Sequence, residues 1–440
     1  MSVAQLSTSG LNKLFLEYIK PGLEVALYEN TSVYDRFKTN TEDVKGKWGV
    51  TKVLTATPKS FRPSSTSTFP TVDQGTYNEF IYYMKRGGYG TLQFDGLAMA
   101  CGKGAGAVKE LVKAEVDAMM LYVPSKLNKQ FWGDGSGRLA ILAAGPAAST
   151  TATVDGDTTN WGRFGIDANE YTNPSQYLFD GMSVDIYTAA GVLEASDVKI
   201  SSIALGGAGT DTLTMASAIT ATANSFLYDH NTFPTGGTEA AGTGVPMGLY
   251  GICESLNPYI GGVLSTAFQG VNRLTNTWAQ AQMFNMGTAI GTPAVITDKQ
   301  MLKVIQKVER YGAVDVIMTN DSIWRALFEI LKADKTMPND PGYWGGLTGM
   351  KFYGGKSKSI PIVYDEDCPD GRVYFWGKDA VQITSPDKGG LDWLPGDSGN
   401  ILSRVQGKDE YAANLRWYYN MTARKIRNIG VLRYVKHASA

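Results

Sequence analysis

Between Gly102 and Gly137 apolar residues recur at three- and four-residue steps. Val108, Leu111, Val112, Val116, Met119 and Val123 fall on one face of a helix, with Lys109, Glu110, Lys113, Glu115 and Asp117 mostly off that stripe. Gly102, Gly104 and Gly106 are poor helix-interior residues and mark its start, and Gly133-Asp134-Gly135 makes an abrupt exit. The pattern predicts about 26 helical residues, about 40 Å long at about 1.5 Å per residue. A kink is expected at Pro124, which lacks an N–H and crowds the carbonyl of Met120. A long helix that is apolar on one side only is a strut for a sheet to lie against.

Ahead of the strut, residues 11–37 carry LNKLFLEYI, Pro21-Gly22 and LEVALYENTSVYDRF. Leu11, Leu14, Phe15, Tyr18 and Ile19 share a helical face, but one short helix forms no core by itself, so the stretch reads as an arm that packs on something else. From Trp48 to Phe94 the pattern changes to strands: WGVTKVLTATP alternates Val and Thr, and TYNEFIYYMK is dense in aromatics. Between them lies KSFRPSSTSTFPTVDQG, about 17 polar, proline-bearing residues, long for a loop in a compact domain. Two long antiparallel strands with an irregular tip are expected, projecting from the body. Their Tyr, Phe and Val imply that something covers them.

After the strut, RLAILAAGPAASTTATVDGDTTNWG loses apolar density. An all-β pattern follows. Met182, Val184 and Ile186 alternate with polar residues, as do Val198 and Ile200, then Leu213 and Met215. Gly/Ala/Asp turns between such short strands suggest a small barrel or sandwich inserted between residues 165 and 245. Beyond Val245, Thr297-Asp298-Lys299-Gln300 reads as a capping box for a helix with Met301, Val304, Ile305 and Val308 inward. AVDVIMT reads as a buried strand, and Asn320 or Thr319 caps the next helix, whose inner face is Ile323, Leu327, Ile330 and Leu331. Strands are expected at MKFY, SIPIVYDED and RVYFWG, and two more near the end, where Leu415, Trp417, Tyr419 and Met421 alternate. The class is α+β.

Composition adds limits. Across 440 residues, 43% are hydrophobic and 19% charged, and the net charge of −1 provides no global field to attract nucleic acid or an acidic membrane. Cys101, Cys253 and Cys368 form no CxxC pair and read as reduced thiols in a cytoplasm. MSVAQLSTSG does not read as a signal peptide, and no apolar run reaches the ~18 residues a membrane span needs.

Candidate chemistry fails fragment by fragment. Gly355-Lys356-Ser357 resembles a phosphate loop, but Met350 stands at its first glycine. Gly396-Asp397-Ser398-Gly399 resembles a serine nucleophile, but Asn400 follows, and the chain's histidines are His230 and His437 alone. Asp365, Asp367 and Asp370-Gly371 resemble half a calcium loop, with the spacing one residue too long, Pro369 intervening and Trp376 where a Glu belongs. They read as a solvated acidic turn. Gly102-Lys103-Gly104-Ala105-Gly106 lacks the dinucleotide spacing. No catalytic, cofactor or metal residues are expected. From Tyr411 onward there are Arg416, Arg424, Lys425, Arg427, Arg433 and Lys436 and no acid, which reads either as a nucleic-acid face or as a subunit contact with acidic neighbours.

The order of parts, with YNEFIYYMKRGGYGTLQF ending the hairpin, NKQFWGDGSG ending the strut, then VIQKVERYG, DVIMTN, SIWRALFEIL and GVLRYVK, resembles a tailed-bacteriophage major capsid protein of the Hong Kong 97 type. The resemblance covers most of the chain outside 165–245. It implies an N-terminal arm (1–45), an extended β-hairpin loop (46–95), a peripheral domain with the spine helix (96–164) and an inserted β-barrel-like domain (165–245). An axial domain (246–400) and C-terminal strands returning to the peripheral domain (401–440) complete it. It further implies hexamers and pentamers in an icosahedral shell around double-stranded DNA, in a virion assembled in the host cytoplasm. Portal, decoration and scaffolding proteins would be partners, and fewer than fifty residues ahead of the loop imply a separate scaffolding protein or none.

Under that resemblance the loop tip, with Lys59, Phe61, Arg62 and Phe69, lies on the adjacent subunit, and Arg424, Lys425 and Arg427 meet DNA or a subunit interface. Some relatives cross-link a loop lysine; Lys52 and Lys59 lie in that region without matching the motif. Two other readings stay open: an encapsulin-like shell that houses an enzyme, and a carbohydrate-acting enzyme with an accessory β domain, which the missing carboxylate signature disfavours.

Overall fold

The computed structural model describes residues 38–436 except 42–43, 46–47, 59–73, 97–122, 124–125, 156–173, 189, 207–209, 234–244, 254–256, 259–263, 266, 274, 288–292, 334–349, 353–358, 378, 387–391 and 395–401. The described residues are mostly β-sheet. The arm, the loop tip, the stripe from Val108 to Met119 and His437 lie outside them, as do Gly355-Lys356-Ser357 and Gly396–Gly399.

A central six-stranded mixed sheet runs in the order Gln282–Asn285, Ile429–Arg433, Arg372–Trp376, Val316–Thr319, Ile360–Tyr364, Met350–Phe352. It is covered on both faces, which is why its strands read as continuous apolar runs rather than alternating ones. On one face Ile317, Val373, Phe375 and Leu432 meet Met301, Val304, Ile305 and Val308 of the helix Asp298–Val308 and Ile323 and Leu327 of the helix Asp321–Ala333. On the other, Val316, Met318, Tyr374, Trp376, Ile429 and Val431 join a second core. The helix starts differ from one another. Asn320 Oδ1 accepts the Ile323 N–H at 3.1 Å, so Asn320 is the cap, while Thr319 stays in the strand and donates to the Arg372 carbonyl. At Thr297 the expected capping box is not made: its side chain forms no cap bond, and the N–H groups of Gln300 and Met301 turn to its carbonyl instead.

A second six-stranded sheet is built around the long strand Glu410–Ala423. Leu415, Trp417, Tyr419 and Met421 are buried along one face, as their alternation predicts. Lys85–Asp95 pairs with this strand antiparallel, and the register shifts beside Gly87. A Cβ at Gly87 would collide with the Tyr419 ring, so only glycine lets the strand pass there.

The helical residues where the strut is expected to end join the two sheets. Residues 126–131 are helical, and two consecutive side chains meet the aromatics of different sheets. Phe131 meets Trp417 and Tyr419 edge-on, at centroid distances of 6.4 and 5.7 Å, and Trp132 meets Tyr374 and Trp376 at 5.1 and 6.3 Å. The abrupt exit is a built turn. Asp134, Ser136 and Arg138 are buried together, with Arg138 Nη2 2.8 Å from Asp134 Oδ2 and Arg138 Nε donating to Ser136 Oγ at 2.9 Å.

Arg138 opens the small β unit, a six-stranded sheet in the order Arg138–Ile141, Phe226–Asp229, Ser183–Tyr187, Leu193–Ala204, Thr210–Ile219, Ser149–Asp155. A bridge from Leu142 to Val154 and the Ala143 N–H on the Thr153 carbonyl join its first and last strands, so the sheet closes on itself. Its core contains Ala152, Val154, Val184, Ile186, Val198, Ile200, Leu213 and Met215. Two of its strands precede residue 165, the boundary drawn from composition. The stretch that looked poor in apolar residues supplies alternate small ones, which is all a narrow barrel strand needs.

Candidate assembly surfaces

The expected hairpin is present, and its register sorts its side chains. Trp48–Ala56 pairs antiparallel with Thr76–Tyr83, from Trp48 opposite Tyr83 to Leu54 opposite Tyr77, with an irregularity before Ala56 and Thr76. Directly opposed residues share a face. Gly49 with Tyr82 and Thr51 with Phe80 are buried toward the body, where the Phe80 ring lies 5.7 Å from Phe268 and 5.1 Å from Trp278. Hydrogen bonds fix this root: Ile81 N–H to the Gln269 carbonyl (2.9 Å), Gln269 Nε2 to the Met421 carbonyl (2.8 Å) and Asn420 Nδ2 to the Tyr83 carbonyl (2.8 Å).

The opposite face contains Trp48 with Tyr83, Val50 with Ile81, Lys52 with Glu79 and Leu54 with Tyr77. Three of these four pairs are apolar, yet Trp48, Leu54 and Tyr77 are 51%, 49% and 69% exposed. A one-sided antiparallel hairpin should be polar on its outer face; this one is apolar on both. Tyr89 on the neighbouring strand is also exposed, its hydroxyl 3.2 Å from that of Tyr418. A cleft of about 790 Å³ opens beside the hairpin, lined by Lys52, Tyr77, Glu79, Val271, Asn272 and Trp278.

The basic residues near the end separate. Arg424 and Lys425 are exposed at the bend after the long strand, their N–H groups both on the Ala380 carbonyl. Arg427 is half-buried and tied to the body: Nε donates to the Thr277 carbonyl (3.1 Å), Nη1 to the Tyr311 hydroxyl (2.7 Å), and the guanidinium lies 5.1 Å over the Tyr311 ring. Arg416 and Arg433 also lie over tyrosines, Tyr418 and Tyr434. Lys59, Phe61, Arg62 and Phe69 fall outside the described residues.

The acidic stretch Asp365–Gly371 is not a solvated turn. Asp365 and Asp370 are 4% and 6% exposed, and burial raises the Asp367 carboxyl to about 6. The sequence signal was the Cys368-Pro369 pair inside it, an apolar insertion that a surface turn does not need. His230 lies on the barrel, its Nδ1 2.8 Å from Asp185 Oδ1, and that bond raises its pKa. Burial alone would raise Asp185, but hydrogen bonds from His230, the Asp197 and Asn231 N–H groups and Ser196 hold it below the usual carboxylate range. Among the described residues no group of three or more His, Cys, Asp or Glu is arranged to hold a metal ion, and no helix is long and apolar enough to cross a membrane.

No family profile and no curated protein matches the chain. It is similar to the solved structure of the cyanophage A-1(L) capsid asymmetric unit, with 13% identity and a TM-score of 0.47 over 99% of this chain and 96% of that one. It is also similar to the capsid of a native GTA particle, with 10% identity and a TM-score of 0.43 over 92% and 90% of the two chains. The capsid of Myoviridae phage XM1 is a third likeness, with 9% identity and a TM-score of 0.41 over 92% of each chain.

Proposed function

We propose that this chain is the shell-forming subunit of a tailed-phage head, with no catalytic role. It joins copies of itself into hexamers and pentamers of an icosahedral shell around double-stranded DNA, and the segment ending at Phe131 is the spine helix of a Hong Kong 97-like fold. Scaffolding, portal and decoration proteins are its further partners. One observation carries this reading: apart from Lys52 and Glu79, the hairpin is apolar on both faces. Its inner face is satisfied by the chain's own core, and its outer face needs a second surface. Covering each of these half-exposed large side chains stabilises by about 1 kcal/mol, and repetition of one such contact around a ring builds a shell from identical chains.

Of the basic cluster, the exposed Arg424 and Lys425, rather than the half-buried Arg427, are the residues proposed to meet packaged DNA. Negative-stain microscopy and sedimentation of the expressed chain test the proposal. Closed particles of uniform diameter are expected. A chain that stays monomeric at every concentration, or one that turns over a glycan, would overturn it.

A further inference from the structure

The turn Asp365–Gly371, between two strands of the central sheet, is where three parts of the chain meet. From the strut's end, Asn128 Nδ2 donates to Asp365 Oδ1 (2.9 Å) and to Asp367 Oδ2 (2.7 Å). From the segment before the barrel strand Ser183–Tyr187, the Tyr177 hydroxyl donates to the Asp367 carbonyl (2.9 Å) and Gln176 Nε2 to the Glu366 carbonyl. Lys129 Nζ, on the strut, donates to the Tyr177 carbonyl at 3.3 Å. The sheet holds the turn through the Asp365 N–H on the Thr319 carbonyl and through Asn320 on Asp370. Within the turn, the Asp367 N–H donates to Asp365 Oδ1 at 2.9 Å. Two neighbouring carboxylates therefore share one amide donor in a partly buried junction.

We propose that this turn is a pH-responsive latch joining the barrel to the central sheet, with Asp367 as the titrating group. The charged and titratable groups around it come from every element at the junction. Its own turn contributes Asp365, Glu366, Cys368, Asp370 and the following Arg372; the strut contributes Lys126 and Lys129; and the barrel contributes Asp229, 2.6 Å from Lys126. Burial sets the direction: it raises Asp367 to about 6, with Asp365 and Glu366 adding and Asn128 and Lys129 opposing. A carboxyl whose pKa is higher in the closed state takes up a proton on closing. The latch is therefore firmest below the ordinary aspartate value of 3.8 and weakens as the pH rises through about 6.

Hydrogen exchange of the Asp367, Cys368 and Leu178 amides in the full-length chain, corrected for intrinsic rates, reads the opening directly. A shift from 3.8 to about 6 makes the opening constant about tenfold larger at a pH of about 7.5 than at about 5. Asp367→Asn has no charge to lose and should show the low-pH protection at both values. His230→Gln alters the barrel's other titrating pair and should leave the tenfold response in place. Tyr177→Phe should raise opening at both pH values without changing their ratio, and it serves if Asp367→Asn does not fold. A wild-type response below about twofold, one retained in Asp367→Asn, one lost in His230→Gln, or one whose ratio changes in Tyr177→Phe would overturn the latch. None of these outcomes depends on whether the chain forms shells.

Discussion

The barrel and the hairpin use the same two-residue alternation to opposite ends. In the barrel, Val184, Ile186, Val198, Ile200, Leu213 and Met215 face inward, while Thr151, Thr214 and Ser202 stand outside in one row across three neighbouring strands. The bridge from Leu142 to Val154 closes the sheet, so it contains its own core. The hairpin is open, and its second face presents Trp48, Tyr83, Leu54 and Tyr77 to solvent. A closed sheet is satisfied alone; an open one with two apolar faces is half of an interface.

That contrast can be broken most severely by cutting the two structures out. Residues 138–233 alone should unfold in one cooperative transition, whereas a peptide of residues 48–83 should show none, because an isolated hairpin is marginal in water. Circular dichroism during heating distinguishes them. Two cooperative transitions, or none, would refute the contrast.

Point substitutions sharpen it. Ile186→Ala empties a buried barrel position and should lower stability by about 2–5 kcal/mol in denaturant titration. Tyr77→Ser removes as large a side chain from the exposed hairpin face and should change monomer stability by no more than about 0.5 kcal/mol. It should still reduce association, as read by sedimentation.

Smaller effects follow from charge. The His230–Asp185 pair belongs to the barrel, so its pH dependence should be a barrel property. His230 is raised, and its contribution is complete below 6.5 and lost as the pH rises through the raised value. Asp185 is lowered, and its contribution is present above 3.8 and lost as the pH falls through the depressed value. The melting temperature of the excised barrel should therefore be highest between these limits, and His230→Gln should flatten the alkaline side. In the body, Arg427→Gln should destabilise by about 1 kcal/mol through its lost bonds to Thr277 and Tyr311. Lys425→Gln should leave stability unchanged and lower DNA retention in a salt-dependent way. A melting shift from Lys425→Gln equal to that of Arg427→Gln would erase the distinction.

Much of this fold was legible because single-sided patterns are. The later strands of the barrel, the strands of the hairpin, the buried face of the helix Asp298–Val308, the burial of Ile323 and Leu327 and the alternation from Leu415 to Met421 follow from local spacing; the side chains of Ile330 and Leu331 lie outside the described residues. What was not legible depended on distant partners. The barrel's first two strands read as linker because Ala152 and Val154 are few and small, and only closure against Thr210–Ile219 gives them meaning. The acidic turn read as solvated because carboxylates usually are; Asn128, Gln176 and Tyr177 are remote in sequence and convert it to a buried junction. At the candidate site, the aromatics of the hairpin were visible, but which of them remain uncovered required the register of Trp48 against Tyr83.

The most direct test shortens the hairpin beyond the Val53–Asn78 pair, replacing residues 54–77 with a Gly-Ser turn. The buried root, with Thr51, Phe80 and Tyr82, is kept, so the monomer should remain folded with an unchanged melting transition. Sedimentation and negative-stain microscopy should then find soluble chains and no closed particles. Particles of normal size and yield from the shortened chain would contradict the account, because the outer face of the hairpin would not be what joins one copy to the next.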